Sequence, residues 1–291
     1  MKIGWIGTGV MGVSMAGHLQ GAGHALAVCS RTRAKAEPLL AAGAAWCDTP
    51  AEVAESAELV FTMVGFPQDV EAVYFGQGGL FSARGGARCF VDMTTSPPEL
   101  MRRLAVEAAA RGAEFLDAPV SGGDVGARNA ALAIMVGGGA AAFVRALPLF
   151  KLMGKNIARL GPCGAGQHAK MCNQILIAGN MVGVCEALLY AKRAGLDAEA
   201  VVGIVSQGAA GSWSLSNLAP RILQGNFDPG FYVEHFIKDL GIALRESRAM
   251  GLKLPGLALA AELYERVGEL GMGRRGTQAL FLALEAMQGP A

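Results

Sequence analysis

Short apolar runs alternate with helical patterns through the first half of the chain. The runs at 2–7, 25–29, 59–64, 88–93, 114–117 and 131–136 predict strands. Helical spacing occupies 11–21 and the stretch ending near 42. Gly21, Gly23, Gly43 and Gly112 punctuate the turns. This alternation predicts an α/β domain: a doubly wound, mostly parallel sheet with helices on both faces. Past about residue 161 the strand-like runs stop. Helical periods then cover 165–194, 198–205, 213–224, 237–251 and 257–270. Gly195 is the expected stop of the long helix. The expected organisation is therefore a domain over 1–161 and an all-α domain over 162–291, joined by a long interdomain helix.

Of the 291 residues, 52% are hydrophobic and 17% charged, so the chain can bury a sizeable core. A membrane span needs about 20 nearly uninterrupted apolar residues. The best candidate, 171–190, contains Asn173, Gln174, Asn180 and Glu186, and reads as a buried helix of a soluble protein. The N-terminus enters a strand directly, without a secretory h-region. Net charge is +1 with no basic block, which argues against a nucleic-acid surface. The six cysteines form no C-x-x-C pair. Cys29, Cys47, Cys89, Cys163, Cys172 and Cys185 are expected to be buried free thiols in a reducing cytoplasm.

Gly7-Thr8-Gly9-Val10-Met11-Gly12 fits G-x-G-x-x-G between an apolar strand and a helix, which is the context the motif requires. Gly7 allows the tight turn, Gly9 lets the backbone approach a pyrophosphate, and Gly12 lets helix and strand pack closely. The free N–H groups of the helix then face the phosphates. This identifies a Rossmann dinucleotide site. The second strand ends at Ser30-Arg31-Thr32-Arg33, without the carboxylate that would hold a ribose 2′-hydroxyl. Arg31 can pair with a 2′-phosphate, and Ser30 and Thr32 can donate to it. The cofactor is expected to be NADP, with NAD as the alternative.

Further segments carry a resemblance. They are Asp117-Ala118-Pro119-Val120-Ser121-Gly122-Gly123, Ile134-Met135-Val136-Gly137-Gly138, Gly164-Ala165-Gly166-Gln167-His168-Ala169-Lys170-Met171-Cys172-Asn173, and Lys238-Asp239-Leu240. With the glycine turn, they resemble the β-hydroxyacid dehydrogenase family in order and spacing over essentially the whole chain. The resemblance implies that Lys170 is the catalytic acid/base. The residues support that role: from Met171 to Ala191 Glu186 is the only acidic residue and no basic one occurs, so the helix reads as buried and Lys170 as partly desolvated. Asn173 and Gln174 follow on the same helical face and are expected to meet substrate. The Ser121-Gly122-Gly123 turn would cradle the substrate carboxylate. The resemblance places Thr95 near the nicotinamide and Lys238 on the cofactor. It also suggests Asp239 as the orienter of Lys238 and Phe231 as a cover. Val64-Gly65 would lie beneath the cofactor and departs from the family's usual Leu-Pro. No metal is called for; His18, His24, His168 and His235 lack ligand-like neighbours.

The expected reaction interconverts a small β- or γ-hydroxyacid and its semialdehyde. Gln174 and the stretch around Phe227–Phe231 resemble tartronate semialdehyde (2-hydroxy-3-oxopropionate) reductases. Ser212-Trp213-Ser214 resembles the 3-hydroxyisobutyrate branch, with Trp213 either facing a substrate tail or in the core. Succinic semialdehyde/glyoxylate reduction is a third branch. Imine reduction and a catalytically silent NADP-binding protein are the competing readings. A 6-phosphogluconate dehydrogenase would need a larger helical domain and a basic cluster. The apolar helical domain suggests a homodimer or homotetramer.

Overall fold

The computed structural model describes residues 1–288; residues 289–291 of the expected helical domain lie outside it. The chain divides into a unit Met1–Lys170 and a second that starts at Met171. The first carries β1 (Lys2–Ile6), α1 (Gly12–Gly21), β2 (Ala25–Cys29), α2 (Glu37–Ala41), β3 (Ala45–Trp46), α3 (Pro50–Ser56), β4 (Leu59–Thr62) and α4 (Pro67–Phe75). It continues with β5 (Cys89–Asp92), α5 (Pro98–Ala110), β6 (Glu114–Asp117), β7 (Val120–Ser121), α6 (Gly123–Arg128), β8 (Leu132–Gly138), α7 (Ala140–Phe150) and β9 (Gly154–Gly161). Helix α8 (Ala165–Arg193) begins in this unit and runs into the second.

The strands form one sheet in the order β3-β2-β1-β4-β5-β6-β8-β7, with β9 paired to β8. Strands β3 through β6 are parallel, whereas β8 runs antiparallel to β6 and β7. The central strands are apolar at nearly every position because both faces are covered. Alternate side chains therefore enter different cores. Ile3, Trp5, Leu59, Phe61, Cys89 and Val91 pack on one face. Ile6, Val60 and Phe90 pack on the other with Val53 and Tyr74. The order reverses between β1 and β4. The C-terminal edge at such a reversal opens a crevice where ligands bind.

β3, β7 and β9 go beyond the expected strands. β9 is mostly exposed and carries Lys155, Asn156 and Arg159, so it lacks the apolar alternation that marks a strand.

The second unit is helical: the rest of α8, then α9 (Ala198–Val205), α10 (Trp213–Leu223), α11 (Val233–Ala249), α12 (Pro255–Val267) and α13 (Leu280–Ala286). Gly195 ends α8 at φ +70°, as a left-handed stop requires. The expectation that α8 is buried throughout is corrected. It is long and apolar enough to cross a membrane by length and composition, and 39% of its apolar window is buried. Met171, Gln174, Ala178, Met181, Cys185 and Leu188 face inward at three- and four-residue spacing, while Leu176 and Tyr190 are 68% and 75% exposed. One helical face suffices to pack the core, so low charge did not mean burial all round. The cysteine expectation is corrected likewise. Cys29, Cys89 and Cys185 are buried free thiols, Cys47 and Cys163 are half-buried, and Cys172 is exposed on α8.

Candidate active site

The loop after β1 separates two kinds of glycine. Gly7 sits at φ +94°, where an added Cβ would be driven into the Met63 carbonyl. A Cβ on Gly12 would meet the Gly7 carbonyl, with Trp5 Nε1 at 3.3 Å. The fold itself demands these two. A Cβ on Gly9 would meet nothing within 4 Å, and Gly9 and Val10 are exposed. The open space therefore lies at the position where the motif needs backbone approach. Met11, the N-cap of α1, supplies no side-chain cap, and the first turn has no acidic residue. Uncapped N–H groups and clear space fit a bound pyrophosphate. Thr8 N–H reaches Ser30 Oγ at 3.4 Å and Gly7 N–H donates to the Cys29 carbonyl at 3.0 Å, which joins the loops after β1 and β2.

Arg31 is 83% exposed, and its Nη1 donates to Asp69 Oδ1 at 2.9 Å. Asp69 Oδ2 accepts from Phe66 N–H at 3.2 Å, so one carboxylate caps α4 and holds the arginine. Asp69 was not expected; its sequence signal is an acid in the first turn of a Pro-initiated helix. Thr32 is exposed, and Arg33 stacks over the Trp46 ring at 4.9 Å. Val64 N–H donates to Thr94 Oγ1 at 3.0 Å, and Thr94 N–H donates to Asp92 Oδ1 at 2.6 Å. Val64, Gly65 and Thr95 are half-buried on these linked loops.

Three distant motifs meet at the head of α8. Asp117, fully buried at the end of β6, accepts from Gly164 N–H at 2.7 Å and from Gln167 N–H at 2.9 Å. Burial pushes its carboxyl up, and the two N–H bonds pull it back. A Cβ on Gly137 would meet the N–H groups of Gly166 and Ala165 at 2.8 and 2.9 Å. A Cβ on Gly166 would meet Asp117 Oδ2 at 2.8 Å. The glycines of two motifs thus let the helix start seat on the β8 backbone. Gln167 was not among the expected site residues. It is buried, accepts from Ser96 N–H at 3.0 Å and donates to the Thr94 carbonyl at 2.8 Å. Lys170 follows on α8 and is 6% exposed. Ser121 ends β7, and Gly122 and Gly123 turn into α6 at φ +133° and +61°, which a side chain would strain.

Within the second unit, four expected residues form one chain. Asn173 Nδ2 donates to Gln174 Oε1 at 2.7 Å, and Gln174 Nε2 donates to Asp239 Oδ2 at 2.6 Å. Lys238 Nζ lies 3.0 Å from Asp239 Oδ1. Gln174 is fully buried, so its amide serves Asp239 and Asn173. Phe231 is half-buried, 5.5 Å from the Phe236 ring. Trp213 is 66% exposed at the start of α10, which corrects the alternative of a core residue. Burial lowers the His235 pKa. Among the described residues no three His, Cys, Asp or Glu side chains cluster to hold a metal.

Comparison with known proteins points to one family. Residues 2–161 match the family described as the NAD binding domain of 6-phosphogluconate dehydrogenase. Residues 164–284 match the NAD-binding family of NADP-dependent 3-hydroxyisobutyrate dehydrogenase. An uncharacterized oxidoreductase of Bacillus subtilis (strain 168) is 53% identical, over 96% of this chain and 97% of its own. The 2-hydroxy-3-oxopropionate reductase of Escherichia coli (strain K12) is 41% identical, over 99% and 98%. The structure of Mycobacterium tuberculosis 3-hydroxyisobutyrate dehydrogenase with L-serine superposes with a TM-score of 0.88 at 30% identity, over 97% and 98% of the two chains. The chain belongs to the β-hydroxyacid dehydrogenase family and is an NAD(P)-dependent oxidoreductase.

Proposed function

We propose that this oxidoreductase uses NADP to interconvert a small β- or γ-hydroxyacid and its semialdehyde, with Lys170 as the general acid/base. The observation that carries the reading is a lysine 6% exposed on a helix whose first turn is tied to the ends of β5 and β6. Burial of an ammonium is costly, and strongly desolvated ionisable side chains cluster at functional sites.

The pyrophosphate would rest on the Gly9 gap and the start of α1, and a 2′-phosphate on Arg31, Ser30 and Thr32. When bound, the nicotinamide supplies hydride for reduction or accepts it in oxidation. Lys170 donates a proton to the substrate oxygen as negative charge develops there, and takes it back in the reverse direction. Ser121, with the N–H groups of Gly122 and Gly123, would hold the substrate carboxylate. A 2-hydroxy-3-oxopropionate reductase is the second reading, favoured by the 41% identical relative of that name.

The test follows NADPH absorbance with succinic, methylmalonic and tartronic semialdehydes and glyoxylate, with NADH and Lys170→Ala beside it. Turnover with NADPH that collapses in Lys170→Ala is the expected result, and the ranking of aldehydes separates the two readings. Full turnover by Lys170→Ala would remove the lysine from the mechanism.

A further inference from the structure

We propose that Gln167 is a positioning residue for the reaction, setting the turn of α8 that carries Lys170 against the 94–96 loop after β5. The inference rests on the reading of Lys170 as proton donor.

Gln167 is fully buried, and both ends of its amide are spent on one loop. Oε1 accepts from Ser96 N–H at 3.0 Å, and Nε2 donates to the Thr94 carbonyl at 2.8 Å. These two bonds fix both the reach and the roll of the amide plane. Its own N–H donates to Asp117 Oδ2 at 2.9 Å, so side chain and backbone anchor the same helical turn to two different strand ends. The loop is itself constrained. Thr94 N–H donates to Asp92 Oδ1 at 2.6 Å, and Thr94 Oγ1 accepts from Val64 N–H at 3.0 Å. The loop after β5 and the end of β6 therefore both meet the first turn of α8, and the loop after β4 braces the former.

Holding the helix in place does not by itself require this amide. Asp117 already caps the helix start through Gly164 and Gln167 N–H, and the close seat on β8 is made by Gly137 and Gly166. An apolar side chain of equal volume would fill the space but leave the buried Ser96 N–H and Thr94 carbonyl without this partner, so some loss of melting temperature accompanies it. Beyond that stability, a buried amide with two defined partners adds geometric definition. Lys170 lies three residues on, on the same side of the helix and about 4.5 Å further along its axis. A slip of about 1 Å in a reacting group can cost on the order of a hundredfold in rate.

The experiment is a double-mutant cycle on the full chain. Gln167→Met keeps length and volume and removes both bonds. Its kcat, KM, NADPH dissociation constant and melting temperature are measured beside Lys170→Ala and the double variant, using the aldehyde that the unaltered protein reduces fastest. Gln167→Met is expected to lower kcat by roughly 10- to 100-fold while the NADPH dissociation constant shifts less than about threefold. In the Lys170→Ala background it should cost nothing further, because its effect passes through the lysine. Gln167→Glu keeps the acceptor for Ser96 N–H, should fall between, and serves in place of Gln167→Met if that variant does not fold. A Lys170→Ala variant with full activity sinks the lysine reading and this inference with it. A crippled Lys170→Ala beside an unaffected Gln167→Met, or a full additional loss in the double variant, sinks the positioning role alone.

Discussion

Arg31 and Asp69 form an ion pair at 2.9 Å that links the loop after β2 to the first turn of α4. With Arg31 83% exposed, such a pair contributes about 0–1 kcal/mol to stability. Its effect should fall on the cofactor. Asp69 competes for the guanidinium that a 2′-phosphate would need and adds a repelling charge nearby. Asp69→Asn keeps an acceptor for Phe66 N–H but removes the charge, so it should tighten NADPH severalfold and leave NADH nearly unchanged. Arg31→Ala should weaken NADPH by on the order of 10- to 100-fold, in line with the loss of a charge-assisted bond. Paired KM measurements for both cofactors decide the matter. An unaltered NADPH-to-NADH ratio in both variants would take the 2′-phosphate away from Arg31.

The glycine motif yields a second contrast. Gly12→Ala forces a methyl against the Gly7 carbonyl and should destabilise the fold by several kcal/mol, since strand and helix must separate. Gly9→Ala meets no atom within 4 Å and should fold with a nearly unchanged melting temperature. It should still lose cofactor affinity, because the methyl occupies the space left for the pyrophosphate. Calorimetry and NADPH titration of both variants check this. Tight NADPH binding by Gly9→Ala would show that the open space serves another purpose.

The thiols should behave unequally. Cys172 is exposed, while burial pushes Cys29 and Cys89 up to about 11 from 9.0 and raises Cys163 and Cys185 as well. At pH 8 a thiol-reactive disulfide reagent should label one cysteine quickly, and Cys172→Ser should abolish that phase. The same shifts act on stability. Between about pH 9 and about 11 the folded state keeps protons on Cys29 and Cys89 that the unfolded chain has released. Stability therefore falls as pH rises through that window. Denaturant midpoints at pH 8.5 and 10.5 would expose the trend, and an equal midpoint at both would contradict it.

Some of this was readable before any coordinates. Strands at 25–29 and 114–117 and the helix at 198–205 lie where their patterns place them. There, apolar runs or periods sit between clear glycine or helix-cap signals. β9 escaped because an exposed strand held by its partner's backbone needs no apolar alternation. In the site, Lys170 stood out by motif, but Gln167 did not. A glutamine near a helix start reads as a solvated residue, and only the fold brings Ser96 and Thr94 to it from 71 and 73 positions away. Asp69 was hidden for the same reason, since its partner Arg31 is 38 positions distant.

The link between Gln174 and Asp239 tests whether a polar pair is there for structure or for a neighbour. Gln174 is fully buried, and its amide donates at 2.6 Å to a carboxylate that is 1% exposed. Losing a hydrogen bond to a charged, buried acceptor costs about 1.5–3 kcal/mol. Gln174→Leu leaves Asp239 Oδ2 without that donor and should lower stability by about this much. Gln174→Asn is one methylene shorter and should recover only part of it. Lys238 shares the carboxylate at 3.0 Å, so the lost donor should also let the Lys238–Asp239 pair tighten. If Lys238 contacts the cofactor, both variants should raise the KM for NADPH while kcat at saturation changes little. Asp239→Asn should act on Lys238 in the opposite sense, because it removes the charge that holds the lysine, and should not reproduce that rise in KM. A stability loss in Gln174→Leu with an unmoved cofactor KM would make the pair a purely structural buried contact and separate Lys238 from cofactor binding.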